Sequence, residues 1–279
     1  MAKTVLITGA SSGIGRAAAY LMAERGWQVA AGCRDQTALR EWAAPPERVV
    51  VSLDVTDPKS VAAAVRTAEE RFGGIDVLVN NAGYGVFGAL EGATPEQVEL
   101  QFRTNLFGVI SLIQQVMPGM RRRGKGTIIN VSSIGGRMTA PFASLYHASK
   151  FAIEGLSESF RHEAALHGIL LKLIEPGHFK TGFIRRSLVV CKHEAYAAAL
   201  GNYLQWVYRE DDTAPSPEPV ARAILRAAED SSPRLRYPVK GRIILATTRY
   251  LPDAIWRSLL RFPMTRGPKV KIAMDRGNR

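Results

Sequence analysis

Thr4-Val5-Leu6-Ile7-Thr8-Gly9-Ala10-Ser11-Ser12-Gly13-Ile14-Gly15 runs from a β-branched apolar stretch directly into three closely spaced glycines. The apolar part suits a strand buried on both faces, and the residues from 14 to 25 have helical spacing. A strand that turns straight into a helix aims backbone N–H groups and a helix N-terminus at one point, where a phosphate is held. Gly9 permits the tight turn, while Gly13 and Gly15 let backbone approach a ligand and let helix pack on strand. Ser11, Ser12 and Ile14 complete the candidate cradle. The spacing differs from G-x-G-x-x-G, so taken alone it leaves a plain turn as the alternative.

Working outward, similar runs recur at 27–31, 49–53, 77–80, 127–131 and 170–174. Helical spacing fills 58–72, 95–122 and 145–167, with Pro58 and Pro95 placed to open helices after Asp57 and Thr94. Strands alternating with helices imply right-handed βαβ units, hence an α/β fold with a doubly wound parallel sheet. Past Gly182 the rhythm changes. Helices are expected at 195–207 and 220–229 around an acidic, proline-rich break at 210–219, and 234–239 offers a last strand. Trp256, Leu259, Leu260 and Phe262 have helical spacing that suits packing on the core or on another subunit.

The 279 residues are 46% apolar and 22% charged, which fits one folded unit without a dividing linker. No run approaches the roughly 18 apolar residues of a spanning helix, and Gly9 interrupts the first apolar run too early for a signal peptide. A cytoplasmic protein is expected. Cys33 and Cys191 have no partner pattern, so reduced thiols are expected rather than a disulfide or a zinc site. The net charge of +12 is uneven: residues 232–279 carry 12 basic side chains against Asp253 and Asp275. This basic C-terminal extension reads as a solvated face, or as a surface for an acidic membrane or a partner subunit. It lacks the basic and aromatic interleaving of a nucleic-acid module, so nucleic acid is not expected.

In a dinucleotide fold, the end of the second strand selects the adenosine ribose: an acid accepts from the 2′-hydroxyl, and arginine favours a 2′-phosphate. Cys33 and Arg34 stand there. Arg34 favours NADP; Asp35 keeps NAD open if the strand runs further than its pattern suggests. Asp54, with Val55 after the third strand, bonds adenine or caps the next turn.

Tyr146 and Lys150 share one helical face at i and i+4. A phenol ionises near 10, so reaching about 7 requires roughly 4 kcal/mol of preferential phenolate stabilisation, part of which a fixed ammonium supplies. An oxidised nicotinamide adds a second positive charge, and a phenol poised near neutrality exchanges a proton with a carbinol or carbonyl oxygen. Ser133, expected to end the fifth strand, opens onto the crevice and can donate to that oxygen. Asn105 is expected to begin the helix before it, either supporting a relay from Lys150 or capping backbone.

Taken together these residues resemble the short-chain dehydrogenase/reductase family over about 3–185. Thr8-Gly9-x-x-x-Gly13-Ile14-Gly15 is similar to its cofactor turn, and Asn80-Asn81-Ala82-Gly83 to its motif after the fourth strand. Asn105, Ser133, Tyr146 and Lys150 are similar to its catalytic four, and Pro176-Gly177 with Thr181 to its nicotinamide-side loop. The stretch 105–183 most resembles the 17β-hydroxysteroid and retinol dehydrogenase branch. The resemblance implies a Rossmann sheet of order 3-2-1-4-5-6-7 and hydride transfer between nicotinamide and a secondary alcohol or ketone. It implies Tyr146 as general acid in reduction, Lys150 on the nicotinamide ribose, Ser133 on the substrate oxygen and Asn105 in the proton relay. Thr181 is then on the carboxamide, with Asn81, Ala82 and Gly83 along the cofactor. It further implies a homodimer or homotetramer through the helices at 95–122 and 145–167.

The same resemblance makes 179–215 a substrate lid. Phe179, Phe183, Ile184, Leu188, Tyr196, Tyr203 and Trp206 would suit a lipophilic substrate, or pack as ordinary core. The competing expectation is a catalytically silent dinucleotide sensor or scaffold.

Overall fold

The computed structural model describes residues 2–265. In chain order its strands are β1 (Thr4–Thr8), β2 (Gln28–Cys33), β3 (Arg48–Ser52), β4 (Val77–Asn80), β5 (Gly85–Gly88), β6 (Gly126–Val131), β7 (Ile169–Pro176), β8 (Leu188–Cys191) and β9 (Arg236–Val239). Seven of them form one parallel sheet of order β3-β2-β1-β4-β6-β7-β9. Counting only these seven, the order is the expected 3-2-1-4-5-6-7. The other two, β5 and β8, pair in parallel as a separate small sheet that no sequence pattern announces.

The helices are α1 (Gly13–Glu24), α2 (Pro58–Phe72), α3 (Pro95–Phe102), α4 (Gly108–Arg123), α5 (Ser144–Ala165), α6 (Phe183–Arg186), α7 (Ala197–Thr213), α8 (Glu218–Glu229), α9 (Arg242–Tyr250) and α10 (Asp253–Thr265). Alternation along each strand builds two cores. Val5 and Ile7 of β1 pack with Ala18, Met22 and the α8 residues Val220 and Ile224, whereas Leu6 faces Val61, Val65, Leu112 and Ile153 on the other side. Both faces of the sheet are therefore dry, as its near-continuous apolar strands require.

The caps explain why α2 matches its expected bounds. Asp57 accepts from the Lys59 N–H at 2.9 Å, Pro58 takes the first helical position, and Gly73 closes the helix at φ +79°. The region 95–122 does not form the single helix its apolar spacing predicts. It divides into α3, a π turn over Arg103–Phe107, and α4. The wider turn carries Asn105, which therefore lies within the helical region rather than at its beginning. Ser133 stands two residues beyond the end of β6, at the N-cap of a short 3₁₀ turn (Ile134–Gly136).

Beyond Gly182 the segment leaves and returns at one place, since Lys180 N–H donates to Pro215 O at 2.8 Å. Residues 210–213 belong to α7 rather than to a break. The expected lid aromatics separate. Ile184 and Tyr203 are buried together with Phe87, and Phe183 and Leu188 pack onto them. Phe179 instead joins the main core with Val220 and Tyr237, while Tyr196 and Trp206 are exposed. The basic extension is helical through α9 and α10, and α10 packs against α7. Leu259, expected to pack on the core or on another subunit, is 54% exposed in the single chain; the side chain of Phe262 and residues 266–279 lie outside the described residues.

Candidate active site

The turn after β1 is built for backbone approach. Gly9 and Gly13 hold φ +66° and +56°, and a Cβ on Gly15 would come within 2.3 Å of Gly9 O. Ser12 caps α1 in extended backbone without a side-chain bond, and the first turn of α1 has no acid. The turn is fastened from β4. Thr8 Oγ1 accepts from the N–H groups of Asn81 and Ala82, each at 2.9 Å, and Asn81 Nδ2 donates to Thr8 O at 2.9 Å and Gly9 O at 3.3 Å. Gly83 then leads the chain to Tyr84. From the far side, Thr181 closes down: a Cβ on Gly13 would meet both Cβ and O of Thr181 at 3.0 Å. Pro176 ends β7, and Gly177 N–H donates to Val239 O at 2.8 Å, which fixes the start of that loop. A helix N-terminus with no acid in its first turn, behind glycines with no side chain of their own to cover the backbone, fits a dinucleotide pyrophosphate.

Arg34 follows the last residue of β2 and is exposed. The Asp35 carboxylate is turned onto Thr37, accepting from its N–H at 2.9 Å and its hydroxyl at 2.6 Å. Asp54 accepts in the same way from Thr56, at 2.9 and 2.7 Å. Burial raises the Asp54 pKa, but the Thr56 bonds and the Arg34 charge outweigh it and hold the carboxyl below its usual range. Val55 O abuts the start of α4, where a Cβ on Gly108 would approach it to 2.8 Å.

The catalytic candidates converge at the carboxyl ends of β6 and β7. Lys150 Nζ donates to Val131 O at 2.9 Å and lies 5.9 Å from the Tyr146 ring centroid. Burial lowers the Lys150 pKa to about 8, with the Glu154 charge opposing the shift. The Ser133 hydroxyl accepts from Gly135 N–H at 3.0 Å and donates to Pro176 O at 3.5 Å, and beside the Tyr146 phenol it acts to lower that group's pKa. Burial raises the Tyr146 pKa and outweighs the lowering by Ser133.

Three positions, Gln101, His147 and Ser149, escaped sequence reasoning, and two of them join the network of Asn105. Asn105 donates to Tyr84 O at 2.9 Å and Ser149 Oγ at 3.0 Å, and accepts from Tyr84 N–H at 2.8 Å. Gln101, one turn earlier and wholly buried, repeats the pattern: it donates to Tyr84 O at 2.8 Å and Ser149 Oγ at 3.2 Å, and accepts from Val86 N–H at 2.7 Å. Ser149 donates to Tyr146 O at 2.8 Å, so both amides brace the turn that carries the tyrosine. His147 accepts at Nε2 from Ala140 N–H at 2.9 Å, which leaves Nδ1–H to donate to Gly135 O at 2.7 Å. Burial lowers its pKa despite that carbonyl, so the ring is held neutral. A polar residue four positions before Asn105 on an otherwise apolar helix face was the available signal for Gln101. Among the described residues no cluster of His, Cys, Asp and Glu could hold a metal, and no helix is long and apolar enough to cross a membrane.

Residues 3–188 match the family model for short chain dehydrogenase. The chain belongs to this family. Similar short-chain dehydrogenase relatives include a 3-ketodihydrosphingosine reductase of Bacteroides thetaiotaomicron, 37% identical over 267 residues, which cover 92% of this chain and 96% of that protein. Human 17-beta-hydroxysteroid dehydrogenase type 1 is 38% identical over 275 residues, covering 90% and 80%. A solved short-chain dehydrogenase from Streptomyces avermitilis superposes with a TM-score of 0.81 at 34% identity, covering 94% of this chain and 97% of that one. Another from Burkholderia phymatum, in complex with NAD, gives 0.78 at 28% identity, covering 96% and 98%. This short-chain dehydrogenase is an oxidoreductase acting on CH–OH groups, near the 17β-hydroxysteroid dehydrogenase branch.

Proposed function

We propose that the chain transfers a hydride between NADP(H) and a lipophilic secondary alcohol or ketone. The observation that carries this reading is the gathering of Ser133, Tyr146 and Lys150 at the carboxyl ends of β6 and β7, with buried Lys150 5.9 Å from the Tyr146 ring and fixed on Val131 O. A nicotinamide held beside Tyr146 and Lys150 would accept or supply the hydride. In reduction the Tyr146 hydroxyl gives its proton to the carbonyl oxygen, and Ser133 donates a hydrogen bond that positions that oxygen. Lys150, held by Val131 O, bonds the nicotinamide ribose and offsets negative charge on the phenolate. Gln101, Asn105 and Ser149 hold the tyrosine turn still.

NADP is preferred over NAD on the strength of Arg34, exposed at the end of β2, and of Asp35, whose carboxylate already serves Thr37. The NAD found in the Burkholderia neighbour belongs to that protein. A lipophilic substrate is supported by Phe87 and Phe183, whose rings lie 5.5 and 5.9 Å from that of Tyr146, and by the apolar cluster of Ile184 and Tyr203 behind them. The segment 179–215 acts as the lid. The names of both similar relatives point to long-chain or polycyclic carbonyl compounds. Pairing of two chains through α3 to α5 is supported by Leu100, Phe107 and Phe151, which are 42%, 55% and 44% exposed there.

The test follows nicotinamide absorbance with NADPH across long-chain, steroidal and small ketones, with Tyr146→Phe as control. Consumption with lipophilic ketones that vanishes in Tyr146→Phe is expected. Absence of NADPH consumption with every ketone, and of NADPH formation from NADP+ with every corresponding alcohol, would count against the reading.

A further inference from the structure

Between Lys240 and Thr265 the chain carries Lys240, Arg242, Arg249, Arg257 and Arg261 against one acid, Asp253. The two helices formed there leave large apolar side chains in solvent. Ile243 and Tyr250 of α9 are 83% and 80% exposed and, being seven residues apart, share a face two turns long. Ile255 and Leu259 share a face of α10 and are about half exposed. Lys240, Arg242 and Arg261 are exposed beside them. A soluble surface seldom gathers aliphatic and cationic side chains on consecutive amphipathic helices without a purpose.

The helices also sit where a lipophilic substrate would arrive. A Cβ on Gly241, just before α9, would lie 2.2 Å from Ile134, the neighbour of Ser133, and α10 rests on α7. The pair therefore spans from the Ser133 loop to the segment that covers Tyr146.

We propose that α9 and α10 form a docking surface for an anionic lipid bilayer. Ile243, Tyr250, Ile255 and Leu259 enter the headgroup boundary, while Lys240 and Arg242 meet lipid phosphates. Charge complementarity selects an acidic surface. The exposed aliphatic groups select a bilayer over a nucleic acid, which would pair with the cations but offer Ile243 nothing apolar. The inference stands on surface chemistry and does not depend on turnover.

The test is co-sedimentation of the full chain with vesicles of phosphatidylcholine alone or with about one third phosphatidylserine. Binding at low salt is expected to be at least about tenfold stronger on the anionic vesicles and largely lost near 0.5 M salt. The double variant Ile243→Ser/Tyr250→Ser should lower it about tenfold or more with an unchanged melting temperature. Should that variant fail to fold, Ile255→Ser/Leu259→Ser on α10 gives the same reading. The proposal would be overturned by equal, weak association with both vesicle types, by full binding of the folded variants, or by tighter salt-sensitive retention on duplex DNA than on vesicles. A dimer that both variants dissociate, without vesicle binding by the native chain, would instead assign the surface to a second copy and overturn it equally.

Discussion

Lys150 and Tyr146 occupy one face of α5 with the ammonium 5.9 Å from the phenol ring centroid, yet the ammonium is bonded to Val131 O rather than to the phenol. The strand end thus sets where the charge stands, and the tyrosine is left to the substrate side with Ser133. Replacing Tyr146 by Phe should lower turnover by about 10²–10⁴-fold or more while leaving dinucleotide affinity within a factor of about two. Steady-state rates and a fluorescence titration of NADPH separate the two effects. Equal loss of both would make Tyr146 a structural residue.

Lys150 should imprint itself on stability. Its pKa is about 8 in the fold against an ordinary 10.5. Between those values the unfolded chain retains a proton that the folded chain has released, so this residue makes stability rise with pH across the window. The native unfolding free energy minus that of Lys150→Met is expected to climb by up to about 3 kcal/mol between the two pH values. A flat difference would mean the amine is as well solvated in the fold as outside it.

Arg34→Ala should weaken NADP binding about 10- to 100-fold and leave NAD nearly unchanged, the loss expected for one charge-assisted bond to a phosphate. Calorimetric titration with each dinucleotide reads this directly. Parallel losses would remove the 2′-phosphate role from Arg34.

Asn105→Ala removes the partner of Tyr84 N–H and one of the two donors to Tyr84 O inside the protein and should cost about 2–4 kcal/mol of stability. Gln101→Leu should cost a similar amount through Val86 N–H, and the two losses should not add, because Tyr84 O and Ser149 are shared. Urea unfolding of the single and double variants measures the coupling.

The parallel sheet was legible because both of its faces are buried, so each strand is a short apolar run bounded by turn residues. The cofactor turn was legible because glycine alone tolerates φ +66° at Gly9 and a 2.3 Å approach at Gly15. What escaped reading depends on distance in the chain or on a change of helical pitch. Apolar spacing continues through the π turn at Asn105, so nothing in the pattern separates α3 from α4. Gly85–Gly88 and Leu188–Cys191 are four-residue strands whose pairing joins points about a hundred residues apart. The buried acids near Lys150 are likewise assembled from several elements. Glu175 of β7 meets Arg137 at 3.2 Å and Arg236 of β9 at 3.1 Å, and Arg236 also reaches Glu154 at 3.3 Å. Burial raises the pKa of both Glu154 and Glu175, although the arginines oppose it. Sequence spacing links only Glu154 to Lys150, so the cluster emerges with the fold.

The most direct test is an ultraviolet difference titration of the native chain against Tyr146→Phe, each saturated with NADP+. If the fixed ammonium and the nicotinamide charge act together on this phenol, the difference spectrum shows phenolate forming with a midpoint of roughly 7, moving upward in Lys150→Met. A midpoint at about 10 or above in the saturated native chain would contradict the account.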